Sequence, residues 1–208
     1  MKLKIKKLLG LALATAMMMS VAAGSSVSVE GKKDSGTETK EGNGSIGLSV
    51  STLNNPFFVT LTEGAKEKAK EKNVDLIVVD AGDDAAKQTS DIEDLISKNI
   101  SVLIVNPVDS DAVAPVVKDA IEKGIKVVSV DRIVNGVDVD SAIASDNVAG
   151  AKLAAEYLLS LVGEGAKVTE LEGVPGASAT IDRGKGFHEI ADTKLNVVSK
   201  QTANFNRS

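Results

Sequence analysis

Ser51, Thr52, Asn54 and Asn55, then Asp80, Asn106, Asp131 with Arg132, and Ser145 to Asn147 each follow a short apolar run. Asp, Asn and Arg side chains are planar, and each can engage two neighbouring hydroxyls at once, which suits the holding of a polyol or sugar. Beside the first group stand Phe57 and Phe58, in a chain whose other aromatic residues are only Tyr157, Phe187 and Phe205. An aromatic face is a good surface for the C–H side of a sugar ring. The pair is therefore read as a platform for a ligand rather than as core. The competing reading is a hydrophobic staple at a helix start, and it is stronger for Phe58 than for Phe57.

Other chemistries find less support. There is no cysteine, hence no disulfide, thiolate metal site or thiol nucleophile. The single histidine, His188, falls in an expected helix and is read as a partly exposed helix residue rather than a catalyst. Asp80, Asp83 and Asp84 lie close together, but Asp83 or Asp84 as the cap of the next helix is the simpler reading than a metal site. A dinucleotide enzyme would carry G-x-G-x-x-G in its first turn, where this chain has STLNNPFF. No Walker loop is present, and EGVPGAS (172–178) reads as a tight turn. The expectation is a protein with no catalytic residue, no metal and no cofactor.

The elements that must position the polar rim alternate. Apolar runs at 45–51, 74–80, 100–107, 125–132, 140–147, 166–173 and 195–203 read as strands, and amphipathic stretches between them read as helices. The first helix has Pro56 in its first turn. Strand and helix in turn imply βαβ units and a parallel α/β sheet, with Val/Ile-rich strands covered by helices on both faces. Ligands bind such sheets outside the carboxyl ends of the strands, where the rim residues fall.

Residues 1–24 begin with Lys2, Lys4, Lys6 and Lys7, continue apolar from Leu8 and end in small residues at Ala22–Gly24. That is the layout of a secretory signal, and the protein is expected to be exported. SVAAGS (20–25) is similar to a lipoprotein cleavage box, but Ser25 stands where the lipid-bearing cysteine would be, so no lipid anchor is expected. Residues 25–45 are Gly, Ser, Thr and charge, and read as a flexible tether. The formal charge of the chain is −5; with four lysines and no acid in 1–24, the remainder carries −9. That balance disfavours nucleic acid as a partner.

At this point a resemblance emerges. STLNNPFF, VNPVDSDAV, VDR, IASDN, GEGAKV and RGKGF resemble the ribose-binding family of bacterial ABC transporters, from Ile46 to Arg207. The resemblance implies two Rossmann-like lobes joined by crossing strands, closing as a monomer on one sugar and docking on a membrane permease, with a chemoreceptor as a further partner. The first lobe would span 46–145 and the second would begin at 146. Ser51 and Asn55 would bind hydroxyls, Phe57 and Phe58 would lie against the ring, Asp131 and Arg132 would hold adjacent hydroxyls, and Asn106 would support the rim. Arg183 and Phe205 would close from the second lobe. D-ribose is the implied ligand, with galactose, allose or a furanose signal as neighbouring alternatives. Because the family continues well beyond Ser208, the second lobe is expected to be incomplete at 146–208, the first to lack a returning segment, and sugar binding to be impaired. A sugar-responsive repressor shares the fold but would need a helix-turn-helix where this chain has an export signal.

Overall fold

The computed structural model describes residues 44–206. The expected signal peptide at 1–24, residues 25–43 of the expected tether, and residues 207 and 208 lie outside the described residues. Five parallel strands form one sheet: β1 (Ile46–Val50), β2 (Leu76–Asp80), β3 (Val102–Val105), β4 (Lys126–Val130) and β5 (Ser141–Ile143), in the order β2-β1-β3-β4-β5. In register, Leu48 lies between Val78 and Ile104. The helices α1 (Pro56–Lys72), α2 (Ala85–Ser97) and α3 (Ala114–Glu122) join the first four strands. The chain runs outward from β1 to β2, then returns past β1 to β3. Right-handed crossovers therefore put α1 on one face and α2 and α3 on the other. The order reverses between β1 and β3, and a crevice at such a point is where open α/β sheets bind ligands.

Local chemistry sets the helix ends. Asn55 caps α1, its Oδ1 accepting from Phe57 N at 3.0 Å, and Pro56 takes a first-turn position that needs no N–H. Asn73 ends the helix in the left-handed region, φ 54°. Asp84 caps α2 by accepting from the Ala86 and Lys87 N–H groups, the simpler of the two readings of the aspartate cluster. Ile92, Leu95 and Ile96 of α2 and Val116, Val117 and Ala120 of α3 pack with Leu103, Val105 and Val127 into the main core. Each large side chain so buried contributes about 1.5–3 kcal/mol. Gly47 lets α2 come close: a Cβ there would meet Leu95 and Ile100 at 2.9 Å. Coverage of both faces, expected from composition, is realised only at β1, whose Leu48 and Val50 are fully buried. On the α1 side Val78, Ile104 and Val128 remain half-buried, and β5 is exposed throughout. One helix does not span the width of five strands.

A smaller group follows: α4 (Asn147–Val162), β6 (Lys167–Glu172), α5 (Ser178–Lys194) and β7 (Asn196–Thr202), with β6 and β7 paired in parallel. α4 and α5 lie in direct contact because Gly186 has no side chain; a Cβ would fall 2.0 Å from the Val148 carbonyl oxygen. The turn between β6 and α5 is bonded to the first sheet. Ser110 N donates to Gly176 O at 2.9 Å, Ser178 N to Ser110 Oγ at 3.1 Å, and Ile133 N to Ser178 Oγ at 3.0 Å. Among the described residues, no helix is long and apolar enough to cross a membrane.

Candidate ligand site at the strand ends

Asn106 organises the rim. Fully buried after β3, it accepts from Ser51 N through Oδ1 at 3.2 Å and donates from Nδ2 to Val130 O at 3.1 Å. One amide thus spans the ends of β1, β3 and β4. Gln88 of α2 holds the next turn, donating to Asn106 O at 2.9 Å and accepting from Val108 N at 2.7 Å. Sequence reading missed Gln88; the signal was a glutamine one turn before Ile92, on the apolar face of its helix. Asp80 also proves structural, its Oδ1 accepting from Leu53 N and Gly82 N.

β4 ends in a three-residue turn, Arg132 N donating to Val130 O at 2.7 Å across Asp131 at φ 65°. Such turns are strained, and strain of this kind gathers at functional sites. Arg132 beyond it is only 2% exposed. Its Nη1 donates to Pro107 O at 2.7 Å, and its guanidinium lies 5.2 Å from the Phe58 ring centre and 5.6 Å from that of Phe205. Its Nε is buried with no hydrogen-bond acceptor; Asp131 Oδ2 stands 3.8 Å away. A buried N–H of this kind is costly, so an acceptor brought to it is bound at a gain. Burial pushes the Asp131 carboxyl above the usual carboxylate range, against the pull of Arg132 and Arg183.

The phenylalanine pair is divided. Phe58 is 3% exposed against Arg132, whereas Phe57 is 56% exposed, its ring edge-to-face with Phe58 at 5.1 Å. Phe57, Phe58, Asn55, Asp131, Arg132, Ala179, Arg183 and Phe205 line one cavity of about 150 Å³. A neighbouring cavity of about 350 Å³ shares Asn55, Phe58, Arg132 and Phe205 and adds Thr52, Asn54 and Asp83. Ser51 and Asn106 lie behind these walls, fully buried, with the Ser51 hydroxyl lacking a partner. Phe205 reaches the site because Gly173 is bare; a Cβ there would meet the ring at 2.1 Å. Asn147, on the sequence rim but outside the candidate ligand set, accepts from Arg183 Nε at 2.9 Å. A larger groove of about 680 Å³ runs between α4 and β6, but Ala154, Leu158, Val168 and Leu171 make much of its wall apolar. It shares Arg183 and Phe205 with the strand-end cavity and adds Asp146, Asn147, Glu170 and Glu172, but reaches neither Asp131 nor Arg132.

His188 sits outside the cavity. Its ring nitrogens face Asp192 at 2.7 Å and Glu170 at 3.0 Å, joining α5 to β6. Among the described residues, no cluster of three or more His, Cys, Asp or Glu is arranged to hold a metal.

A parallel α/β sheet with a buried arginine just after β4, facing Arg183 of α5 and Phe205 beyond β7, defines a class of two-lobed binding proteins. The chain belongs to the periplasmic binding protein domain family, which it matches over residues 46–208. It is 53% identical to the ribose import binding protein of Bacillus subtilis over 163 residues, covering 78% of this chain and 53% of that protein. To the ribose import binding protein of Escherichia coli K12 it is 45% identical, covering 78% of this chain and 55% of that one. Among solved structures, the Caulobacter myo-inositol binding protein bound to myo-inositol matches with a TM-score of 0.73 and 32% identity, over 79% of this chain and 57% of that chain. The chain thus spans about half the length of the curated relatives it matches. The fold is the α/β, two-lobed Rossmann-like arrangement of that family.

Proposed function

We propose that this chain is the exported receptor of a sugar ABC importer, working as a monomer outside the cytoplasmic membrane and taking D-ribose between its two sheets. The supporting observation is the cavity that joins Asp131 and Arg132 to Arg183 and Phe205. Its charged, planar groups suit adjacent hydroxyls, and its rings suit the C–H face of a sugar. Asn55 and Phe57 complete the first wall, with Ser51 and Asn106 bracing it. Names of relatives give ribose as the leading ligand; the partner in this reading is the membrane permease of the importer, with a chemoreceptor as a second. The chemistry is binding, without turnover.

Calorimetric titration with D-ribose, D-allose, D-galactose and myo-inositol tests the reading. Ribose should bind most tightly, and Phe57→Ala should cost more in affinity than in melting temperature. No saturable binding of any of these sugars, or turnover of a pentose, would overturn it.

A further inference from the structure

We infer that Asn147 is the positioning residue that fixes the Arg183 guanidinium at the strand-end cavity; the inference rests on reading that cavity as the sugar site. Arg183 is an exposed side chain with many rotamers, and holding it in one geometry carries an entropy cost. Asn147 meets that cost within the protein. It is the first residue of α4 and is buried; its Nδ2 donates to Ser145 O at 3.2 Å while its Oδ1 accepts from Arg183 Nε at 2.9 Å. The amide is held at both ends. Helix capping does not account for it, because Asp146 is the cap, accepting from Ala149 N at 2.9 Å.

The register between the two helices is fixed around this bond. Gly186, one turn after Arg183, packs on the Val148 carbonyl, and Lys152 pairs with Glu189 at 3.0 Å. The Phe205 ring lies 5.9 Å from the Arg183 guanidinium. With Nε engaged by Asn147, the terminal nitrogens are the part of Arg183 left for a ligand, and the cavity places Asp131 in the same wall. The choice of asparagine matters. An amide oxygen orients the guanidinium without neutralising it, so its full charge is kept for hydroxyl oxygens.

The test uses the 208-residue chain and follows the Arg183 side-chain Nε–H resonance, assigned by its loss in Arg183→Lys. In the unsubstituted protein without sugar this proton should be shifted and slow to exchange with water. Asn147→Ala should return it to the position and exchange of a solvated arginine, and Asn147→Asp, which keeps the acceptor, should restore it. D-ribose titrated against the same samples should bind roughly tenfold more weakly to Asn147→Ala. A protected Nε–H in Asn147→Ala overturns the inference, as does its loss with unchanged ribose affinity. If no sample binds ribose while the Nε–H responds as described, the positioning stands and the sugar reading falls.

Discussion

Asp131 carries the sharpest conflict in the molecule. Its carboxylate is useful to a hydroxyl ligand, yet burial raises its pKa although two arginines oppose the shift. A raised carboxylate binds more protons folded than unfolded, so stability falls as pH rises from about 3.9, the unfolded value, through the folded value. Asparagine has the same shape and no such loss. Asp131→Asn should therefore melt a few degrees higher than the unsubstituted chain at pH 7 and equally near pH 3.5, while ribose affinity drops by about 2 kcal/mol. A lower melting temperature at pH 7 would show that pairing with Arg132 outweighs burial. Single residues of this kind were legible in the sequence because VDR ends an apolar run. The burial of Arg132 was not, since its guanidinium meets Phe205 and Pro107, distant in sequence and brought near only by the fold. An arginine expected on an open rim is instead stacked between two rings, so its removal would cost stability as well as affinity.

At the scale of elements, the sequence shows most where a local signal stands alone. Pro56 and Asp84 placed the starts of α1 and α2 within a residue. α3 begins at Ala114, later than SDAVAPVV suggests, because Asp109 Oδ1 accepts from Asp111 N and Ala112 N in a turn first. β5 is shorter than DSAIASDN suggests, because Asp146 is taken by the cap of α4. His188 makes the junction of α5 with β6 testable. Its hydrogen bond to Asp192, then the charge of Glu170, raise its pKa above the ordinary histidine value. A histidine raised on folding stabilises below its unfolded pKa of about 6.5, and that contribution is lost as pH rises through the folded value. The side chain is 30% exposed, so solvent screening keeps the contribution under about 1 kcal/mol. His188→Gln should lower the melting temperature at pH 5.5 and leave it unchanged at pH 9. An equal loss at both pH values would mean that packing against Phe187, not charge, is what His188 supplies.

Across the whole molecule, stability is unevenly divided. β1, β3 and β4 pair inside a five-stranded sheet with a closed core on one face, and Leu48, Val50, Leu103, Val105 and Val127 are fully buried. The second sheet has two strands among the described residues, β7 exposed along nearly its whole length. On α4, Leu153, Tyr157 and Leu161 are 66%, 68% and 66% exposed. Two-stranded sheets are marginal without a covering face, and regions with few buried contacts open at low free energy. Amide hydrogens of β6 and β7 should thus exchange well before those of β1 and β3. The consequence for ligand binding follows by linkage. A sugar shifts an equilibrium only through contacts it gains in the favoured state, and here the second sheet offers it Arg183 and Phe205. Part of the binding energy must also go to ordering β6, β7 and the segment that carries Phe205. Ribose binding to this chain should accordingly be weaker than micromolar, and saturating ribose should slow exchange in β6, β7 and α5 while leaving β1 and β3 unchanged. Exchange measured by mass spectrometry with and without ribose decides this. Uniform protection of both sheets without sugar, or micromolar binding by the monomer, would mean that the smaller sheet is as firmly held as the larger and that Arg183 and Phe205 suffice to close the site.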